Sequence, residues 1–140
     1  MERSEDWAGG RRPVRILLIE DDQEVAMLYC LALGRRGYEV TMAADGEEGL
    51  ELAVALIPDL VLLDIRLPKL TGIQVLQFLR ARPTTRNIPV VVLSNHDADE
   101  LQHRGLELGA VEWLVKVQTT PVELIRWVDE WSNRGSDSSG

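Results

Sequence analysis

An α/β fold with a parallel sheet is what this sequence predicts, and three observations carry it. Five apolar runs alternate with five stretches of helical periodicity along 140 residues. Such alternation builds βαβ units with right-handed crossovers. The run Leu60-Val61-Leu62-Leu63 is apolar at every position and stops at Asp64, as a strand buried on both faces should. Polar residues follow four of the five strands: Glu20 and Asp21, then Asp64, Ser94 and Lys116. A parallel topology brings those ends to one edge, where open α/β sheets bind their ligands. The expected architecture is one five-stranded parallel sheet with helices on both faces.

Residues 1–12 hold charges and paired glycines without periodicity and read as a loose tail. Val14 to Ile19 is the first strand. Val25, Leu28, Tyr29 and Ala32 then mark one face of a helix, which Gly34 and Gly37 stop. Tyr38 to Ala43 is a short strand. Asp45-Gly46 turns into a helix faced by Leu50, Ala53, Val54 and Ile57 and closed by Pro58. The Asp64 strand follows. After Pro68 and Thr71-Gly72, Val75, Leu76 and Leu79 define a third helix. Pro89 to Leu93 is a fourth strand ending at Ser94. A fourth helix runs from Ala98 to Leu108, and a fifth strand from Val111 to Val115 ends at Lys116. Thr120-Pro121-Val122-Glu123 opens the last helix as a capping box with Pro in its first position. Leu124, Val128 and Trp131 form its inner face, with Trp127 at the edge. The domain is expected to span 13–131, with a frayed Ser/Gly-rich tail over 132–140.

Composition narrows the function. The formal charge is 15 − 23 = −8, which disfavours nonspecific binding to nucleic acid or anionic membranes. No apolar run approaches the length of a membrane span, and no signal peptide opens the chain. The single cysteine, Cys30, sits in an apolar helical stretch and reads as buried filler. Without an internal disulfide, a reducing cytoplasmic setting is expected.

The edge residues each have an ordinary reading. An acidic run before a helix serves as a cap, a serine after a strand makes a turn, and a lone lysine is solvated. Their coincidence at one edge favours chemistry. Three close carboxylates repel unless a cation joins them, and hard oxygen donors suit Mg²⁺. An ammonium and a hydroxyl would complete a cradle for a phosphoryl group. A carboxylate can itself accept that group as an acyl phosphate.

The chain resembles the receiver domain of two-component response regulators. The resemblance rests on Ile16-Leu17-Leu18-Ile19-Glu20-Asp21-Asp22, Asp45-Gly46-Glu47-Glu48-Gly49-Leu50, Pro58 to Pro68, Gly72, Ile88 to Ser94 and Gly109 to Lys116. It implies a flavodoxin-like receiver fold with strand order 2-1-3-4-5. It makes Asp64 the phosphoacceptor, with Asp21 binding Mg²⁺ directly and Glu20 through water. The backbone carbonyl of Arg66 would be a further ligand. Lys116 would pair with the phosphoryl oxygens, Ser94 would hydrogen-bond them, and Trp113 would occupy the switch position. The implied role is a phosphoryl acceptor with at most slow self-dephosphorylation. The implied partners are a histidine kinase or phosphotransfer protein as donor and a downstream protein. A homodimer through the fourth helix, fifth strand and fifth helix is a further expectation; nucleic acid and membrane are not expected partners.

Three positions depart from the family. Val117 follows Lys116 where proline is usual, Asn95 follows Ser94 where a small residue is usual, and Trp113 exceeds the usual ring. A trans bond is expected at Lys116–Val117, since a cis bond without proline costs about 2.5–4 kcal/mol. His96 reads as an exposed loop residue. Burying an indole needs more room than burying a phenyl ring. Trp113 is therefore expected to stay outward, in a lasting apolar patch, with inward packing as core the alternative. A pseudo-receiver, binding partners without phosphorylation, is the competing function. An aspartyl phosphatase is disfavoured because Arg66 stands where a second acid belongs. Nucleotide binding is disfavoured because acids, not a Gly-rich turn, follow the first strand. The sequence leaves open whether this is a stand-alone receiver or one domain of a longer chain.

Overall fold

In a computed structural model of the chain, residues 12–94, 105–110, 112–115 and 120–138 are described. The five strands are β1 (Arg15–Ile19), β2 (Glu39–Ala43), β3 (Leu60–Asp64), β4 (Val90–Ser94) and β5 (Glu112–Val115). They form one parallel sheet in the order β2-β1-β3-β4-β5. The helices are α1 (Gln23–Gly34), α2 (Gly46–Leu56), α3 (Gly72–Ala81) and a C-terminal helix (Pro121–Ser138). Of the expected fourth helix, only its last turn at 105–107 lies within the described residues.

Strand side chains alternate, and each set meets a different helix layer. Ile16, Leu18, Leu60, Leu62, Val91 and Leu93 pack with α1 and the C-terminal helix through Ala26, Tyr29, Leu33, Leu124 and Val128. Leu17, Ile19, Val61, Leu63, Val90 and Val92 pack with α2 and α3 through Ala53, Val75, Leu76 and Leu79. β3 and β4 are buried along their whole length, whereas the edge strand β2 is mostly open. That confirms the reading of the Asp64 run as a strand covered on both faces.

Helix starts follow from side chains near in sequence. Asp22 caps α1 through the amides of Glu24 and Val25, and Asp45 caps α2 through the Glu48 amide at 2.8 Å. Thr120 and Glu123 form the anticipated capping box. A second box, Thr71 with Gln74, opens α3. Two helix ends are closed from a distance instead. The Arg15 guanidinium of β1 donates to the carbonyls of Leu56 and Ile57 at the end of α2. The Arg80 guanidinium of α3 donates to Leu108 at 3.0 Å, Gly109 at 2.9 Å and Ile88 at 3.0 Å. Cations are favourable against the carbonyl end of a helix.

Four expectations change. On α1 the buried positions are Ala26, Tyr29 and Leu33, and Leu28 is 54% exposed. The helix is apolar nearly all round, so the sheet selects one of two competing faces. Ile57 does not join the α2 face; it ends the helix in the left-handed region (φ 45) and is exposed. Cys30 is half-buried, not enclosed. The C-terminal helix continues past 131 to Ser138, and Ser132 within it is buried and donates to the Val128 carbonyl at 2.5 Å. No helix among the described residues is long and apolar enough to cross a membrane.

Candidate functional site

β1 and β3 are neighbours in register, Ile19 beside Leu63. Glu20 and Asp21 therefore leave the sheet beside Asp64. Oxygens of Glu20, Asp21 and Asp64 all lie within 4.8 Å of one another. Glu20 (2% exposed) and Asp64 (4%) are buried, and Asp21 faces solvent. The Asp22 amide donates to Glu20 Oε2 at 3.0 Å, and the Arg66 amide donates to Asp64 Oδ1 at 3.2 Å. Both carboxylates are thus oriented by backbone two residues downstream. An open cleft of about 310 Å³ adjoins Glu20, walled by Met27 and Met42.

The loop after Asp64 is held closely. Gly72 has no space for a side chain, since a Cβ there would lie 2.6 Å from both the Asp64 carbonyl oxygen and Ile65 Cα. Gly46 likewise abuts Leu70 and donates to the Pro68 carbonyl at 3.4 Å. Lys69 adopts a left-handed conformation (φ 72) and pairs with Asp45 at 3.5 Å and Glu47 at 3.9 Å. The Asp45 carboxyl is lowered from its ordinary value, first by the Glu48 amide hydrogen bond and also by Lys69.

Ser94 is buried at the end of β4, next to Asp64 on β3 and paired with Val115 on β5. The structure thus brings together Glu20, Asp21 and Asp64, with the Arg66 backbone beside them and Ser94 at the end of the neighbouring strand. Lys116, Val117, Asn95 and His96 lie outside the described residues, as does the Lys116–Val117 bond.

Trp113 overturns the outward expectation. It is 9% exposed and packs in the core with Val92, Leu79 and Ala110. The room the indole needs comes from Gly105, against which the ring lies. The expected patch loses its aromatic centre, although Leu106 and Val122 remain exposed.

The sheet order, the acidic cluster and the buried Ser94 define a recognisable site. A sequence model of the response regulator receiver domain matches residues 16–129. The chain belongs to that family. This receiver domain is 41% identical over 102 residues to the DNA-binding dual master transcriptional regulator RpaA of Synechocystis, covering 73% of the chain and 42% of that protein. It is 36% identical over 111 residues to the phosphate regulon transcriptional regulatory protein PhoB of Escherichia coli, covering 79% and 48%. The receiver domain thus spans less than half the length of these curated relatives. Among solved structures it is similar to a putative response regulator from Chloroflexus aurantiacus, with TM-score 0.81 and 32% identity over 87% of this chain and 99% of that one. It is also similar to the receiver domain of a Pseudomonas aeruginosa sensor histidine kinase, with TM-score 0.79 and 29% identity over 86% and 98%. That structure has a magnesium ion coordinated in its active-site cleft.

Proposed function

We propose that this receiver accepts a phosphoryl group on Asp64 from a phosphohistidine of a histidine kinase or phosphotransfer protein, and signals through altered contacts with a downstream protein. The observation that carries the reading is the cluster of Glu20, Asp21 and Asp64 oxygens within 4.8 Å at the sheet edge. In the transfer, an Asp64 oxygen attacks phosphorus, the P–O bond of an acyl phosphate forms, and the P–N bond to the donor imidazole breaks. The imidazole leaves as the base and takes up a proton.

The donor set fits Mg²⁺: all-oxygen ligands, more than one carboxylate and one open side toward solvent. Asp21 and Asp64 would hold the ion directly, Glu20 through water, and the Arg66 carbonyl would add a ligand. When bound, the ion would neutralise charge on the transferring phosphoryl oxygens. The chain's own contribution is positional. The Arg66 amide fixes one Asp64 oxygen, and burial keeps water from competing for the carboxylate. Ser94 would hydrogen-bond the bound phosphoryl group and Lys116 would pair with its charge.

Intact-mass measurement after incubation with Mg²⁺ and acetyl phosphate tests the reading. The wild type should gain one phosphoryl group and Asp64→Asn should not. Equal labelling of the two would refute Asp64 as acceptor. No labelling of either would favour a phosphorylation-independent binding module.

A further inference from the structure

Away from the acidic site, Gly105 and Trp113 approach more closely than ordinary core packing allows a side chain. A Cβ at residue 105 would lie 2.6 Å from Cζ3 and 2.9 Å from Cε3 of Trp113. Real Cβ atoms essentially never come so close, so the missing side chain at Gly105 is what makes space for the indole. The indole Nε1 is buried and finds no hydrogen-bond partner among the described residues. A buried donor without an acceptor is unfavourable, so shape and not polarity keeps the ring in place. Both sides of the slot are fixed. On one side, the Ala110 amide donates to Gly105 and the Gly109 amide to Leu106, each at 3.0 Å. Arg80 pins the same turn through Leu108 and Gly109 and ties it to Ile88. Gly109 takes φ +89, and a Cβ there would lie 2.8 Å from Arg80 Nε, so this turn is shaped to let the guanidinium in. On the other side, Trp113 is paired with Val92 in the sheet, two residues before the Ser94–Val115 pair.

We infer that Gly105 and Trp113 form a plug and seat that hold the indole inward before any phosphoryl group arrives, with Arg80 pinning the seat. The regulatory meaning rests on the phosphoacceptor reading. Any rearrangement that begins at Asp64 and Ser94 must leave the ring seated or lift the Arg80-pinned turn with it. The surface carrying residues 105–110 then responds as one piece, not through a ring rotating against fixed backbone.

Nitrogen-15 NMR of the indole N–H groups tests this, with Trp113 assigned among the four tryptophans by Trp113→Phe. In metal-free protein, a soluble paramagnetic agent should broaden the Trp113 signal several-fold less than that of a free tryptophan amide. Equal broadening would overturn the inference. Gly105→Ala favours the helix locally but fills the seat, so the Trp113 signal should become accessible. Undiminished protection in folded Gly105→Ala would also overturn it. If that variant does not fold, Arg80→Gln unpins the turn and should raise access; no rise would count against the lock. With Mg²⁺ and acetyl phosphate, mass analysis reports separately whether Asp64 is labelled. Failure to label would defeat the acceptor reading and leave the metal-free result to decide the lock. On labelling, the Trp113 signal should hold still or move together with the amides of 105–110. Movement of the indole signal by itself would refute the coupling.

Discussion

Replacing Asp64 with Asn should make the metal-free protein more stable, although it removes the proposed acceptor. Three carboxylates have oxygens within 4.8 Å of one another, and two of them are almost wholly shielded from solvent. At 4.8 Å one like-charge pair costs about 0.9 kcal/mol in water and about 3.5 kcal/mol at an effective dielectric of 20. Asp64 takes part in two such pairs, and its pair with Glu20 lies deeper than its pair with Asp21. Asn keeps an oxygen for the Arg66 amide at 3.2 Å, so the local hydrogen bond survives. Side-chain relaxation and counterions recover part of the repulsion, leaving an expected gain of about 1–3 kcal/mol. For a domain of this size that raises the midpoint by roughly 3–5 °C per kcal/mol. Urea unfolding in chelator reads the gain directly. Added Mg²⁺ should then narrow the gap between the two proteins. At about 100 times its Kd the ion adds about 2.7 kcal/mol to the wild type, and less to a variant lacking one carboxylate. An Asn variant no more stable than wild type in chelator would refute the repulsion argument. Equal gains from Mg²⁺ at matched ionic strength would refute the shared cation site.

Three other outcomes can be checked by unfolding experiments. Gly72→Ala should cost about 1–3 kcal/mol or more, because its Cβ meets the Asp64 carbonyl and Ile65 Cα and no flexible side chain can yield; a cost under about 0.5 kcal/mol would show that the loop is looser than described. Leu28→Lys should change stability by no more than about 0.5 kcal/mol, whereas Leu33→Ala should cost about 2–5 kcal/mol; the reverse order would restore the helix face read from the sequence. Burial, aided by a hydrogen bond to Asp129, raises the Tyr38 hydroxyl above its ordinary 10.0. The native state therefore keeps a proton that the unfolded chain releases, so stability should fall as pH rises from 10.0 through the higher folded value. Tyr38→Phe should fall less steeply over that range, and matching slopes would refute the burial argument.

The sheet and its acidic edge were legible because both depend on short-range pattern. Unbroken apolarity in β1, β3 and β4 identifies strands, and alternation with helices makes them parallel. Glu20, Asp21 and Asp64 then meet by topology alone, with Ser94 at the end of the neighbouring strand. The α1 face was not legible, since Met27, Leu28 and Leu31 are as apolar as the residues that turn inward. Ile57 fits a helical spacing, but the chain must reverse before Pro58, and that overrides the pattern. Trp113 was misjudged from its size, because the space it fills is provided by Gly105, a neighbour only in three dimensions. The Thr71–Gln74 box was readable from its spacing. Arg80 was not: a basic residue on an amphipathic helix looks solvated until three carbonyls are found around it, and its burial draws the guanidinium below its ordinary value.

The borrowed guanidinium caps bear on how the molecule comes apart. The last turn of α2 is completed by a side chain from β1, and the turn before β5 by one from α3. Each end has local backbone bonds, but its last carbonyls depend on that distant side chain. An excised α2 peptide would lack that side chain, and a fragment ending after α3 would leave Arg80 without the acceptors at Leu108 and Gly109. Fraying at one place is therefore felt at a segment far along the chain. That reciprocity ties neighbouring cooperative units together. It sets a practical rule for dividing this protein: cuts between Arg15 and Ile57, or between Arg80 and Gly109, separate a helix from the residue that finishes it.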